Sequence, residues 1–189
     1  MFAVYNVQPW QWVALGLMLV LFLPVVGSFK KNQVGWFTRI PTPTAATVDP
    51  APVIAAARAA SPYAVAAPTS LPDGWVCTRA RWTPQGAPGV GGTPALGDTF
   101  ALGYLTPAQV YVAVDQRDAA PDALVADLTR KGARDGDSTV AGRAWERYRS
   151  PDGRTRALVR READHVTVVS GDLGYDGLDA FAATLAFTT

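Results

Sequence analysis

Seven arginines between Arg143 and Arg161 form the one constellation in this 189-residue chain whose spacing suits recognition chemistry. Arg143, Arg147 and Arg149 fall on one face of a strand in a period-two sense, with Trp145 between them. Arg154, Arg156, Arg160 and Arg161 follow across a turn at 150–153 and are expected on the adjoining strand. A guanidinium fork binds phosphate or carboxylate through paired N–H donors and stacks on aromatic rings. Arg143, Arg147, Arg149, Arg156 and Arg160 are therefore the candidate docking surface, for lipid headgroups, a wall polymer or an acidic partner. The competing reading is a solvated outer face whose charges pair with Glu146, Asp152 and Glu162.

Other chemistry is scarce. His165 is the only histidine and Cys77 the only cysteine. A zinc site takes three or four Cys, His or carboxylate ligands at set spacings, and no such cluster is present. His165, beside Asp164, reads as a polar residue at a hairpin end, and Cys77, between Val76 and Thr78, as a small strand residue. The chain has no nucleophile elbow, Walker loop or H-E-x-x-H pair. Gly89 to Gly92 is followed by no lysine and reads as a flexible connection. Asp135, Asp137, Asp172, Asp176 and Asp179 lack the twelve-residue calcium-loop pattern and suit turns and caps instead. No catalytic residue, cofactor or metal is expected, and the chain is read as a non-enzyme.

The elements that must position the stripe follow from periodicity. Strands are predicted at about 139–149, 154–161 and 165–170, with Ser150-Pro-Asp-Gly153 as the turn between the first two. Upstream, an Ala-rich helix over 52–60 has Asp49 as its cap and proline in its first turn. Strands at 75–82, 100–104 and 110–115 come next, the first two separated by a Gly/Pro-rich loop at 84–97. A helix over 121–131 stops at Gly132, and a helix over 175–185 closes the chain with Leu178, Phe181, Ala182 and Leu185 on one face. Two helix-then-strands units predict an α+β fold, an antiparallel sheet covered by helices.

Ahead of this domain lies a membrane anchor. The first 29 residues carry no charged side chain, and Trp10–Phe29 supplies 20 residues. At roughly 1.5 Å per residue that is about the 30 Å of a bilayer's hydrocarbon core. A signal peptide fits poorly, with no basic residue before the apolar run and only Val25-Val26-Gly27 as a cleavage site. A lipoprotein would need a cysteine where none stands. Trp10 and Trp12 at one end, and Phe29, Lys30, Lys31 and Trp36 at the other, are the expected interface anchors. The organisation reads as a tail (1–9), a transmembrane helix (10–29), a juxtamembrane and Pro/Thr-rich tether (30–52) and an α+β domain (53–189).

Proline fixes backbone and disfavours helix before it, so the tether is an extended, semi-rigid spacer. Orientation is argued both ways. Lys30, Lys31 and Arg39 follow the span, which by the positive-inside rule puts the domain in the cytoplasm; long domains nevertheless translocate past such charges. Net charge is +1, so no nucleic-acid partner is indicated. Ten of the 17 basic residues lie between Arg130 and Arg161, against four acids. One cysteine excludes an intramolecular disulfide.

Several stretches together resemble an actinobacterial family of membrane-anchored proteins known as domain of unknown function 4245. They are Val48-Asp49-Pro50, LPDGW at 71–75, FALGYLTPAQVYVAVDQ at 100–116, VAGRAWERY at 140–148, RALVR at 156–160 and VTVVSGD at 166–172. The resemblance implies a domain outside the cytoplasm and carries no catalytic residues. The element order is also similar, as an analogy of architecture, to the photosystem-extrinsic PsbP and Mog1-like sandwich. The expected role is a single-pass accessory subunit of a larger membrane complex, respiratory or transport, with membrane-protein partners. The alternative is a tethered binding domain for an anionic envelope ligand; a deep, partly apolar pocket in the domain would favour it.

Overall fold

A computed structural model describes residues 46–189. The tail, the span at 10–29, most of the tether and the anchors Trp10, Trp12, Phe29, Lys30, Lys31 and Trp36 lie outside the described residues. Among the described residues, no helix is long and apolar enough to cross a membrane.

The chain is a mixed α/β fold with antiparallel sheets and three α-helices among the described residues. In chain order the elements are α1 (Ala51–Ala60), β1 (Val65–Pro68), β2 (Val76–Thr83), β3 (Thr99–Leu105) and β4 (Tyr111–Arg117). They continue with α2 (Pro121–Leu128), β5 (Ala133–Val140), β6 (Arg143–Arg149), β7 (Arg156–Arg161), β8 (Val166–Gly171), α3 (Tyr175–Ala183) and β9 (Leu185–Thr188). Seven strands pair antiparallel in the order β2-β3-β4-β8-β7-β6-β5, and β1 pairs with β9 as a separate ribbon.

Alternation along the strands gives the sheet two faces. The first carries Phe100, Leu102, Tyr104, Val112, Val114, Trp145, Leu158 and Val169, all buried under α1, α3 and the β1–β9 ribbon. Trp75 stacks on Phe181 of α3 at 5.5 Å. Gln116 fixes the ribbon in place: its Oε1 accepts from Ala66 N–H at 2.7 Å, while its amide donates to Ala64 C=O and Thr167 Oγ1, both at 3.0 Å. A fully buried amide is tolerable because these partners satisfy it. On the second face α2 sets Leu124 and Val125 over Ala157, Val159, Val166 and Val168.

Several boundaries differ from expectation. The predicted strand at 139–149 is two strands, β5 and β6, folded back at Ala141-Gly142, whose φ values are +48° and +75°. This left-handed pair is the two-residue hairpin geometry, for which glycine suits the second position. β5 reads ARDGDSTV and is almost wholly exposed at the sheet edge, so it has no apolar alternation to signal it. The strands β1 and β9 went unpredicted because each is four residues long and finds its partner at the other end of the domain. Helix α2 ends at Leu128 rather than Lys131, since Arg130 and Lys131 have φ of +56° and +59°. Residues 46–50, expected as tether, already join the domain. Val48 N–H donates to Cys77 C=O at 2.8 Å, and Asp49 Oδ1 accepts from Ala51 N–H at 3.0 Å.

Candidate functional site

The stripe residues do share the first face, as period two requires. Arg149 stands opposite Arg156, and Arg147 opposite Leu158. What the sequence did not show is the cover over them. Arg147 lies on the Tyr175 ring at 4.6 Å, bonds Asp179 Oδ2 at 2.8 Å and reaches Ser138 Oγ at 3.2 Å. Arg156 approaches the same ring at 5.8 Å. Arg143 and Arg160 stack on Phe187 of β9 at 4.7 and 4.8 Å, and Arg160 also pairs with Glu162 at 2.7 Å. These guanidinium groups hold α3 and β9 against the sheet. Burial first, then the Asp135 carboxylate bonded to its hydroxyl, push the Tyr175 phenol up to about 12. Arg149 alone opens outward, into a notch of about 500 Å³ with Lys131 and Arg134. Two carboxylates in that notch already have partners: Asp135 accepts from Tyr175, and Asp152 from Ser150.

The lone histidine and the lone thiol are both buried. His165 is buried, stacks on Tyr63 at 4.7 Å, and sits 2.8 Å from both Asp164 and Glu162. Its ring holds the Asp164 carboxyl below the usual range. Cys77 is buried, and burial raises its thiol. Among the described residues, no group of three or more His, Cys, Asp or Glu is placed to hold a metal ion.

The second face carries a different arrangement at its β2–β3–β4 end. There β3 presents Thr99, Ala101 and Gly103, while β2 presents Thr83, Arg81 and Arg79 beside them in register. On the other flank β4 presents Arg117 beside Thr99 and Asp115 beside Ala101. Small side chains on the middle strand and long ones on its neighbours make a trough. The loop between β2 and β3 closes one end, with a 3₁₀ turn at Val90–Gly92, a bridge between Pro88 and Pro94, and Leu96 exposed at 65%. The resulting cleft measures about 220 Å³. This loop, expected to be a flexible connection, is its wall.

Each cation is aimed by a fixed partner. Arg81 donates to Thr83 Oγ1 at 2.9 Å and Pro88 C=O at 3.1 Å, and Arg117 to the carbonyls of Ala119 and Ala120 at 2.7 and 2.8 Å. Arg79 donates to Asp115 Oδ1 at 2.8 Å, with 44% of its side chain exposed against 3% for Asp115. The second oxygen of Asp115, Oδ2, is buried without a partner. Burial pushes the Asp115 carboxyl up to about 6, and the Arg79 charge offsets only part of that. Tyr111 lies across Gly103, where any Cβ would collide with the phenol, and its hydroxyl meets Arg79. None of these residues was singled out from sequence as a site. The available signal was twofold: Arg79 and Arg81 at period two, and Ala101 and Gly103 at period two in the next strand.

The chain belongs to the family described as "Protein of unknown function (DUF4245)", which matches residues 12–185. No curated protein matches it. Among solved structures it is similar to the MucA/MucB complex of Pseudomonas aeruginosa at 16% identity and a TM-score of 0.37, over 66% of this chain and 35% of that one. A second structure, MucB in complex with MucA(peri), gives the same identity and TM-score over 66% of this chain and 36% of that chain. This chain thus spans about a third of the length of the chains it matches.

Proposed function

We propose that this chain is a membrane-tethered, non-enzymatic binding domain that stands outside the cytoplasm and recognises an anionic group through the β2–β3–β4 cleft. The observation that carries the reading is the trough itself: Arg79, Arg81 and Arg117 around a floor of Thr99 and Ala101, with the Asp115 carboxylate buried beside it and bonded to Arg79. Three arginines and no carboxylate line the cleft, which favours a negatively charged guest, and the anchored guanidinium groups of Arg81 and Arg117 lose little freedom when they bind one. A volume of about 220 Å³ is below the ~300–1,000 Å³ of drug-sized ligand sites, so it suits the charged end of a larger molecule. The burial of His165 and Cys77 supports a role without nucleophilic or acid–base chemistry. The uncharged 10–29 segment supports the tether, and the Pro/Thr-rich spacer supports an exterior domain.

The cleft favours this binding role over the accessory-subunit reading, whose motivation lies in the N-terminal segment. Sulfate titrated into the full chain in mild detergent is the test, followed by calorimetry. Binding should weaken at least about tenfold in the double variant Arg81→Gln/Arg117→Gln and should decline with added neutral salt. Unchanged affinity in that variant would remove the cleft from consideration. For orientation, a cysteine at Thr44 with Cys77→Ala should react with an impermeant thiol reagent in intact cells. Labelling only after lysis places the domain in the cytoplasm.

A further inference from the structure

We propose that the cleft takes up an oxyanion group together with a proton: Arg79 turns from Asp115 to the incoming anion, and Asp115 binds the proton that its buried carboxylate then requires. The inference rests on the cleft being an anion site, and it adds a coupling that this reading does not contain.

The geometry makes the exchange specific to one residue pair. Arg81 and Arg117 are tied to backbone carbonyls and the Thr83 hydroxyl, partners that cost little charge balance when an anion arrives. Arg79 is different, because its partner is a carboxylate. It lines the cleft with 44% of its side chain exposed, whereas Asp115 is nearly sealed. An anion that draws Arg79 away leaves a buried negative charge with neither oxygen paired, which a protein interior does not sustain. Protonation is the available relief. The proton comes from solvent, adds to a carboxylate oxygen of Asp115 and leaves a neutral acid.

The other cations nearby do not take Arg79's place, because Arg81 is held by Thr83 and Pro88 and Arg117 by Ala119 and Ala120. On β2 the charged neighbours are Arg79 and Arg81; β3 presents Ala101 and Gly103; β8 presents Val168; β4 itself adds Arg117, with Tyr111 reaching Arg79. Helix α2 covers β7 and β8 with Leu124 and Val125. Asp98 at the end of the loop wall, bonded to Gln85 N–H, and Asp118 just past β4, beside Gly97, are both negative and cannot replace Arg79. In the free protein the Asp115 carboxyl already sits near pH 6, so the coupling falls in an accessible range.

Sulfate is the probe, because its charge does not change between about pH 5 and 8. Calorimetry on the full chain in mild detergent, in buffers of different ionisation enthalpy, reads the protons taken up per sulfate. Uptake should approach one proton at pH 7.5, with affinity about fivefold or more weaker there than at pH 6.5. In Asp115→Asn, sulfate should still bind, with affinity that varies less than about twofold over that range and with no proton uptake. Should Asn at 115 unfold the chain, the unsubstituted protein in the paired buffers still decides. Acetate forms a second arm: tighter acetate than sulfate, with the same uptake, assigns the cleft to carboxylate-bearing partners, and the reverse assigns it to phosphate or sulfate groups. Sulfate or acetate bound without proton uptake overturns the coupling and leaves the anion site standing. Proton uptake that persists in Asp115→Asn also overturns it. No binding of either anion brings down the site and the coupling together.

Discussion

The arginines of β6 and β7 and those of β2 and β4 differ in what stands over them. On the first face, Arg143, Arg147, Arg156 and Arg160 lie beneath Tyr175 and Phe187 and are spent on holding α3 and β9. On the second face, Arg79, Arg81 and Arg117 are held by their own neighbourhood and keep donors free toward an open trough. Equal residue types in the same period-two pattern thus do opposite work. One set glues elements together; the other is left available. The lesson is that a charge stripe becomes a recognition surface only where no later element returns to cover it.

The largest test of this contrast is Trp145→Ala. Trp145 sits among the stripe arginines at 2% exposure in the main core. Its removal should cost about 3–5 kcal/mol and lower the unfolding midpoint of the whole domain in denaturant melts. A loss under about 1 kcal/mol would mean that the β6–β7 side is loosely closed, and the comparison would lose its basis.

Next in size is a pH effect unique to the open side. The Asp115 carboxyl lies at about 6 in the fold against an ordinary 3.8, so the folded chain holds this proton more tightly than the unfolded one. Stability from this group is therefore fully present below about pH 4, falls as pH rises to about 6, and is flat above, on the order of 3 kcal/mol in all. Urea midpoints measured from pH 4 to 8 should show this decline in the parent and lose it in Asp115→Asn. A parent curve that rises across pH 4 to 6 would show that Arg79 outweighs burial.

The smallest effects compare single arginines directly. Arg147→Gln gives up the Asp179 ion pair and the Tyr175 ring, both partly shielded, and should cost about 1–2 kcal/mol. Arg81→Gln on the open side should stay within about 0.5 kcal/mol. Equal losses at the two sites, by thermal or urea denaturation, would erase the distinction between packed and available arginines.

Much of the domain could be read ahead of its structure because local patterns decide local states. Alternation in FALGYL and VYVAVDQ produced β3 and β4, the Pro-Asp-Gly turn produced the β6–β7 hairpin, and the spacing of Leu178, Phe181 and Ala182 produced α3, although Leu185, read on the same helical face, begins β9. The helix-and-strand order also gave the antiparallel sheet. The β1–β9 ribbon escaped because four-residue strands carry too little pattern, and their pairing joins the two ends of the domain.

The site divides along the same line. Period two established, from sequence alone, that Arg143, Arg147 and Arg149 share a face. It could not say that Tyr175, Asp179 and Phe187 would return from the chain's last fifteen residues to occupy that face. Nor could it say that Ala101 and Gly103 would run between Arg79 and Arg81 on one side and Asp115 and Arg117 on the other, because that requires the register of three strands. Local sequence fixes which side chains point together, since that depends only on backbone geometry over a few residues. Which of those groups end up covered, and which stay open around a buried carboxylate, depends on contacts between segments far apart in the chain, and only the tertiary structure decides it.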